Sequence, residues 1–194
     1  MTELPLFPLK TVLFPGGLLP LRIFEPRYVD MVGRCMREGS PFGVVLIRAG
    51  AEVGEVGETA ELGTSARIID FNKLPDGLLG ITCQGEHKLR VLQRSQRADG
   101  LYVGEVEYLP AEPKVALPPR FQTLADLLRK VLPSLGEPHA SMPSDYTDAS
   151  WVGCRLAEVL PLGMSDKLNL LQLEDPIARL EWFGRLRVVA AGQA

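Results

Sequence analysis

The chain is 194 residues long, with 46% hydrophobic and 23% charged residues, and 21 basic against 24 acidic side chains for a net charge of −3. A chain of this length buries roughly 70% of its unfolded surface without a disulfide or metal staple, and the composition argues against disorder. The charge is evenly spread, with 13 basic and 15 acidic residues up to residue 118 and 8 and 9 after it, which disfavours a nucleic-acid coat or a polybasic membrane anchor.

In chain order, residues 4–24 are rich in Leu, Pro and Phe. Leu19, Leu21 and Ile23 alternate with Pro20, Arg22 and Phe24, which predicts a strand after the Pro15-Gly16-Gly17 turn. Pro26 suits a first helical position. Tyr28, Met31, Val32, Cys35 and Met36 then form one apolar helical face, which Gly39 ends. Phe42–Ile47 is an unbroken apolar run and reads as a buried strand.

Residues 49–63 carry Glu52, Glu55, Glu58 and Glu61 among glycines and valines. This reads as a solvated connection, with an acidic contact loop as the alternative. Ala66–Phe71 and Leu78–Gln84 read as strands about a Pro75-Asp76-Gly77 turn. Lys88–Ser95 and Leu101–Leu109 read as a second hairpin about Ala98-Asp99-Gly100. The whole is a mainly antiparallel β unit with one helix.

Pro110, Pro113, Pro118 and Pro119 mark the boundary, beyond which the hydrophobic period becomes helical. Phe121, Leu124, Leu128, Val131 and Leu132 share one face, and residues 134–148 are a loop. Asp148 is the expected N-cap of a helix bearing Val152, Leu156, Val159 and Leu160. Ser165 is the expected cap of a short helix over Asp166–Leu173. Asp175-Pro176 opens a last helix with Ile177, Leu180, Phe183 and Leu186. The expected domains are 1–112, β-rich with one helix, and 113–194, a helical bundle.

Catalytic signatures are absent from the sequence. It contains no Gly-Lys pair for a Walker A loop, no Gly-x-Ser-x-Gly elbow and no His-Glu-x-x-His helix. His87 and His139 have no second ligand nearby and read as unpaired surface residues, the alternative being a general base brought to a distant Cys or Ser by folding. Cys35, Cys83 and Cys154 lack dithiol or zinc spacing and read as reduced, buried thiols. Lys88, Arg90 and Arg94 are expected on one strand side, as a solvated face rather than a phosphate-binding stripe. The start, MTELPLFPLK, does not read as a signal peptide, and no run approaches a membrane span, so a soluble cytoplasmic protein is expected. Neither a metal nor any other cofactor is implied.

Three successive blocks carry a resemblance: Pro5-Leu6-Phe7-Pro8-Leu9, Val12-Leu13-Phe14-Pro15-Gly16, and Leu19-Pro20-Leu21-Arg22-Ile23-Phe24-Glu25-Pro26-Arg27-Tyr28. Together they resemble the amino-terminal substrate-binding domain of Lon proteases. Phe42-Gly43-Val44-Val45, Gly63-Thr64, Ala66-Arg67-Ile68 and Leu74–Leu79 before Gly85 agree, as do Trp151, Leu156-Ala157, Leu160-Pro161-Leu162, Lys167, Leu170-Leu171 and Arg179-Leu180. Leu89 departs from the pattern, standing where relatives often carry an aromatic residue.

The resemblance implies an α+β fold, with a β-rich PUA-like pseudo-barrel followed by a C-terminal helical subdomain. It also implies a non-enzymatic module that binds unfolded or tagged polypeptides in protein quality control, in company with a separate protease or ATPase. With the sequence ending at Gln193-Ala194, a free-standing bacterial member without the ATPase and peptidase domains is expected. RNA binding, by analogy with other PUA-like folds, is the alternative.

Binding is expected on exposed apolar surface of the β unit or in the cleft beside the helices. The peptide-binding candidates are Arg22, Phe24, Arg27 and Tyr28. Phe24 and Tyr28 supply apolar contact, and Arg22 and Arg27 supply donors to carbonyls or carboxylates. A purely structural role for the same residues stays open: Pro26 starting the helix, Tyr28 heading its buried face, and Glu25 with Arg27 as a local ion pair.

Overall fold

A computed structural model describes residues 2–50, 52 and 57–191, and only the backbone of 186–191. The chain divides into two compact units, Met1–Ala111 and Glu112–Ala194.

The first unit holds β1 (Thr2–Leu9), β2 (Leu18–Ile23), α1 (Pro26–Glu38), β3 (Phe42–Ile47), β4 (Thr59–Lys73), β5 (Leu79–Gln96) and β6 (Tyr102–Tyr108). The sheet order is β2-β5-β4-β3-β1-β6, and a further β5–β6 pairing closes five of the strands into a ring. β5 makes this closure possible because it is long. Its first part pairs with both β4 and β2, and its second part pairs with β6 from Leu89 to Gln96. Every pairing is antiparallel except β1 with β3, which run parallel because α1 carries the chain back between them.

Two-sided burial explains the apolar composition of β1 and β3. Phe7, Leu9, Phe42 and Val44 join Tyr28, Met31, Val32 and Cys35 of α1 in one core. Their sequence neighbours Leu4, Leu6, Val45 and Ile47 join Leu89, Tyr102 and Val106 in a second core. Leu6 fills a slot that exists only because two facing positions lack side chains. A Cβ on Gly43 or on Gly104 would each lie 2.9 Å from a Leu6 methyl.

Several expectations change. The 49–63 connection is shorter than expected, because β4 already begins at Thr59 and includes Glu61; Glu55 lies outside the described residues. Leu78–Gln84 and Lys88–Ser95 are one strand, not two. Between them Gly85 receives the Phe14–Gly17 turn, with backbone bonds from Gly16 N–H (2.7 Å) and to the Gly17 carbonyl (2.9 Å). A Cβ there would meet the Phe14 carbonyl oxygen at 2.3 Å. Lys88 is buried rather than solvated, since β5 is flanked by β4 and β6 where the ring closes. The basic stripe is therefore broken into an exposed Arg90 and a half-buried Arg94. Met36 is exposed at the rim of the helical face, while α1 otherwise buries Tyr28, Met31, Val32 and Cys35 and ends at Gly39 (φ 62°).

The second unit holds α2 (Gln122–Val131), α3 (Ala149–Val159), α4 (Met164–Gln172) and α5 (Pro176–Ala191). Phe121 sits in a short 3-10 turn before α2. Asp148 caps α3, accepting from the Ser150 and Trp151 amides, and its Oδ1 also accepts from Val115 N–H at 3.2 Å. Asp175 accepts from Ile177 N–H at 2.8 Å. Ser165 is not a cap. α4 starts one residue before it, and Gly163 holds the N-cap position without a side-chain bond. The Leu186 side chain lies outside the described residues.

α3 packs against α2, α4 and α5. Arg155 and Arg179 are both buried in this unit, Arg155 paired with Glu158 at 2.8 Å and Arg179 with Glu112 at 2.5 Å.

Candidate functional site

The candidate residues fall where β2 ends and α1 begins. Strand alternation turns Ile23 into the core and leaves Arg22 and Phe24 exposed. Glu25, in extended backbone (φ −76°, ψ 131°), takes the N-cap position without capping through its side chain, and Pro26 follows at the first turn. The Glu25 carboxylate instead meets Arg27 at 2.7 Å.

Arg27 is tied down further. It donates to the Gly100 carbonyl of the β5–β6 turn at 2.9 Å, and its guanidinium lies 4.8 Å from the Tyr28 ring centre and 5.9 Å from that of Tyr102. Arg94 covers Tyr102 at 4.8 Å. Tyr28 stacks on Phe7 with centroids 4.1 Å apart. Burial pushes its phenol up to about 12, against the opposing pull of Arg27. Its hydroxyl has no hydrogen-bond partner among the described residues. Arg22 forms an exposed ion pair with Asp76 of the Pro75-Asp76-Gly77 turn.

Beside this junction runs a groove of about 290 Å³, lined chiefly by Phe7, Leu9, Leu21, Ile23, Phe24 and Tyr28. Phe24, 54% exposed, stands at its wall. The volume suits one or two apolar side chains of a chain laid across it. Three of the four candidates, Arg22, Phe24 and Tyr28, line the groove, and Arg27 does not; it holds Glu25 and Tyr28 from behind. Phe7 and Leu9 were not singled out as site residues by sequence reasoning. The only signal for them is the odd-numbered face of β1, which two-sided burial hides.

Among the described residues the groove lining holds two carboxylates, Glu25 and Glu52, but no histidine, cysteine or serine, and no cluster of three metal-ligating side chains occurs. His87 is exposed and meets Tyr108 edge-on at 6.0 Å, while His139 is half-buried in a 3-10 turn of the other unit. All three cysteines are free and buried, and burial raises each thiol, Cys83 to about 12. No described helix is long and apolar enough to cross a membrane.

A family model for the ATP-dependent protease La (LON) substrate-binding domain matches residues 3–185. The chain belongs to the Lon substrate-binding domain family. Its fold is shared with a Lon N-terminal domain protein from Xanthomonas campestris, 41% identical, covering 94% of this chain and 97% of that one with a TM-score of 0.77. The N-terminal domain of a Mycobacterium avium complex Lon protease, 17% identical, superimposes with a TM-score of 0.61 over 93% and 95% of the two chains. These neighbours agree with the α+β, PUA-like architecture expected of a Lon N-terminal domain.

Among curated proteins, Lon protease 2 of Myxococcus xanthus is 26% identical over 92% of this chain and 22% of its own length. The Lon protease of Escherichia coli K12 is 23% identical over 93% and 24%. The chain thus spans about a quarter of the length of the Lon proteases it matches, and the family match covers the substrate-binding domain alone.

Proposed function

We propose that the β unit is a non-enzymatic polypeptide-recognition module that holds unfolded or tagged segments in the groove beside Phe24. The carrying observation is a large aromatic side chain left 54% exposed at the wall of a mainly apolar groove that also takes in Arg22, Glu25 and Glu52, in a chain of the Lon substrate-binding family. An exposed apolar patch of this kind marks an interaction surface. Phe24 supplies the contact, Arg22 reaches client carbonyls or carboxylates from the rim, and Tyr28 and Arg27 form and brace the wall. The setting proposed is cytoplasmic protein quality control, in which a separate ATP-dependent protease or ATPase acts on what is bound. Three reduced thiols fit that compartment.

The test is affinity for a neutral, apolar, unstructured peptide by fluorescence anisotropy, with thermal unfolding of the same sample. Phe24→Ala is expected to weaken binding about tenfold, a loss typical of a central aromatic contact, and to leave unfolding unchanged. Unaltered affinity in a folded Phe24→Ala variant removes the groove as the site.

A further inference from the structure

We infer that the open edge of β4 at Arg67–Lys73, with the pocket beside it, is a second binding site of the β unit, for an extended polypeptide segment carrying an apolar side chain next to a lysine or arginine. It shares no lining residue with the Phe24 groove and stands independently of it.

The backbone supplies the first part of the argument. β3 pairs with β4 only as far as Phe42 opposite Ala66. From Arg67 to Lys73, β4 pairs with β5 alone, so along this stretch its other edge has no strand among the described residues. Such an edge is a template for an added strand.

The side chains supply the second part. The register slips between Ile68 and Asp70, and Ile69 is left 50% exposed. Phe71 is 59% exposed and Met36 38%. All three line a pocket of about 220 Å³ at the C-terminal end of α1. Two large apolar side chains thus stay exposed on an edge that also carries charges and a bulge.

Charge decides the occupant. The pocket holds two charged residues, Arg67 and Asp70. Arg67 is already engaged, with Nε 2.6 Å from Glu86 and Nη1 donating to the Gly39 carbonyl at 2.6 Å. The Asp70 carboxylate is exposed and has no hydrogen-bond or ion-pair partner among the described residues. Within the pocket the uncompensated charge is negative, Lys73 at the end of the edge lying outside its lining, so a basic side chain is favoured there and an acidic one repelled. The same charge disfavours a second copy of the chain. Asp70 is the middle residue of Arg67–Lys73, and a two-fold pairing of this edge with itself sets Asp70 opposite Asp70.

Two labelled peptides test this, both of alternating apolar and polar residues and long enough to span the edge, one with lysine and one with aspartate at the polar positions. Anisotropy titrations are expected to show the lysine peptide binding more tightly. Asp70→Asn should weaken it about threefold, as for an exposed ion pair, and narrow the preference. Phe71→Ser should weaken it about tenfold whether or not Phe24 is also replaced by Ala. N-methylation of alternate peptide amides, which blocks strand addition without touching the protein, should abolish binding and decides the matter even if Phe71→Ser fails to fold. Equal binding of the two peptides, or N-methylated peptide binding as well as the parent, overturns the inference. So does a dimer seen by sedimentation that Phe71→Ser dissociates.

Discussion

Arg179 grips Glu112 with both ends of its guanidinium, Nη2 to Oε1 at 2.5 Å and Nη1 to Oε2 at 2.8 Å, and both side chains are buried. The remaining donors are used as well: Nε donates to the Leu170 carbonyl at 2.9 Å and Nη2 to that of Leu173 at 2.5 Å. Ser150 Oγ donates to the same Glu112 carboxylate at 2.5 Å. One ion pair therefore ties the first residue of the helical unit to α3, to the end of α4 and to α5. A buried pair satisfied in this way adds little net stability over an apolar replacement, but breaking one side strands a charge.

Glu112→Gln and Arg179→Met should each cost about 3–5 kcal/mol in urea unfolding of the helical transition. The double variant should cost less than the sum. Additive losses would show that the two residues do not act as a pair.

The Leu6 slot makes a packing prediction. Gly104→Ala adds a methyl 2.9 Å from a Leu6 methyl in the interior of the ring. It should destabilise by about 1–3 kcal/mol. Leu6→Ala alone opens a cavity and should cost about 2–5 kcal/mol. Combined, the added methyl occupies part of the vacated space, so the double variant should be more stable than the sum of the singles. A calorimetric double-mutant cycle measures the coupling, and its absence would place Leu6 elsewhere.

The two arginines of the candidate site should part company on truncation. Among the described residues Arg22 makes a single exposed pair, with Asp76, so Arg22→Ala should shift stability by less than about 0.5 kcal/mol. Arg27→Ala leaves the Glu25 carboxylate without its donor, removes one of the two donors to the Gly100 carbonyl (Gln96 Nε2, at 3.1 Å, remains) and strips the Tyr28 and Tyr102 faces. It should cost about 2 kcal/mol. Thermal unfolding of the single variants checks this, and equal effects would contradict it.

Alkaline pH should loosen the β unit. Burial raises Cys83 from 9.0 to about 12 and Tyr28 from 10.0 to about 12, so the folded state retains protons that the unfolded state has lost. Stability is then fully present below pH 9 and falls as pH rises from 9 toward 12. The slope reaches about 1.4 kcal/mol per pH unit for each group that is ionised only when unfolded. Cys83→Ala should flatten the first part of the fall, between pH 9 and 10. A melting temperature independent of pH across this window would overturn the assignment.

Some of this was legible from residue order because it depends on neighbours within a turn or two. The α1 stripe from Tyr28 to Cys35, the Asp148 cap and the Asp175-Pro176 start involve contacts no more than a few residues apart, and all are found as read. So is the alternation that exposes Arg22 and Phe24 and buries Ile23. The strand in Thr2–Leu9 was not legible, because covering both of its faces erases the alternation that marks a strand. Nor was the single length of β5. Gly85 looks like a break in sequence, but it is the place where another backbone comes within hydrogen-bonding distance.

By itself, then, the sequence determined the local elements, their caps and the family. The tertiary structure decided which apolar residues form the groove, because Phe7 and Leu9 meet Tyr28 only once α1 folds back on β1. It decided that Arg27 is bound, since its acceptor on Gly100 lies 73 residues away. It also left Asp70 and Phe71 on an open edge, because β3 starts only at Phe42, opposite Ala66, and β4 continues past it. Long-range pairings of this kind depend on which surfaces are covered when the ring closes, and a short stretch of residues carries no record of that.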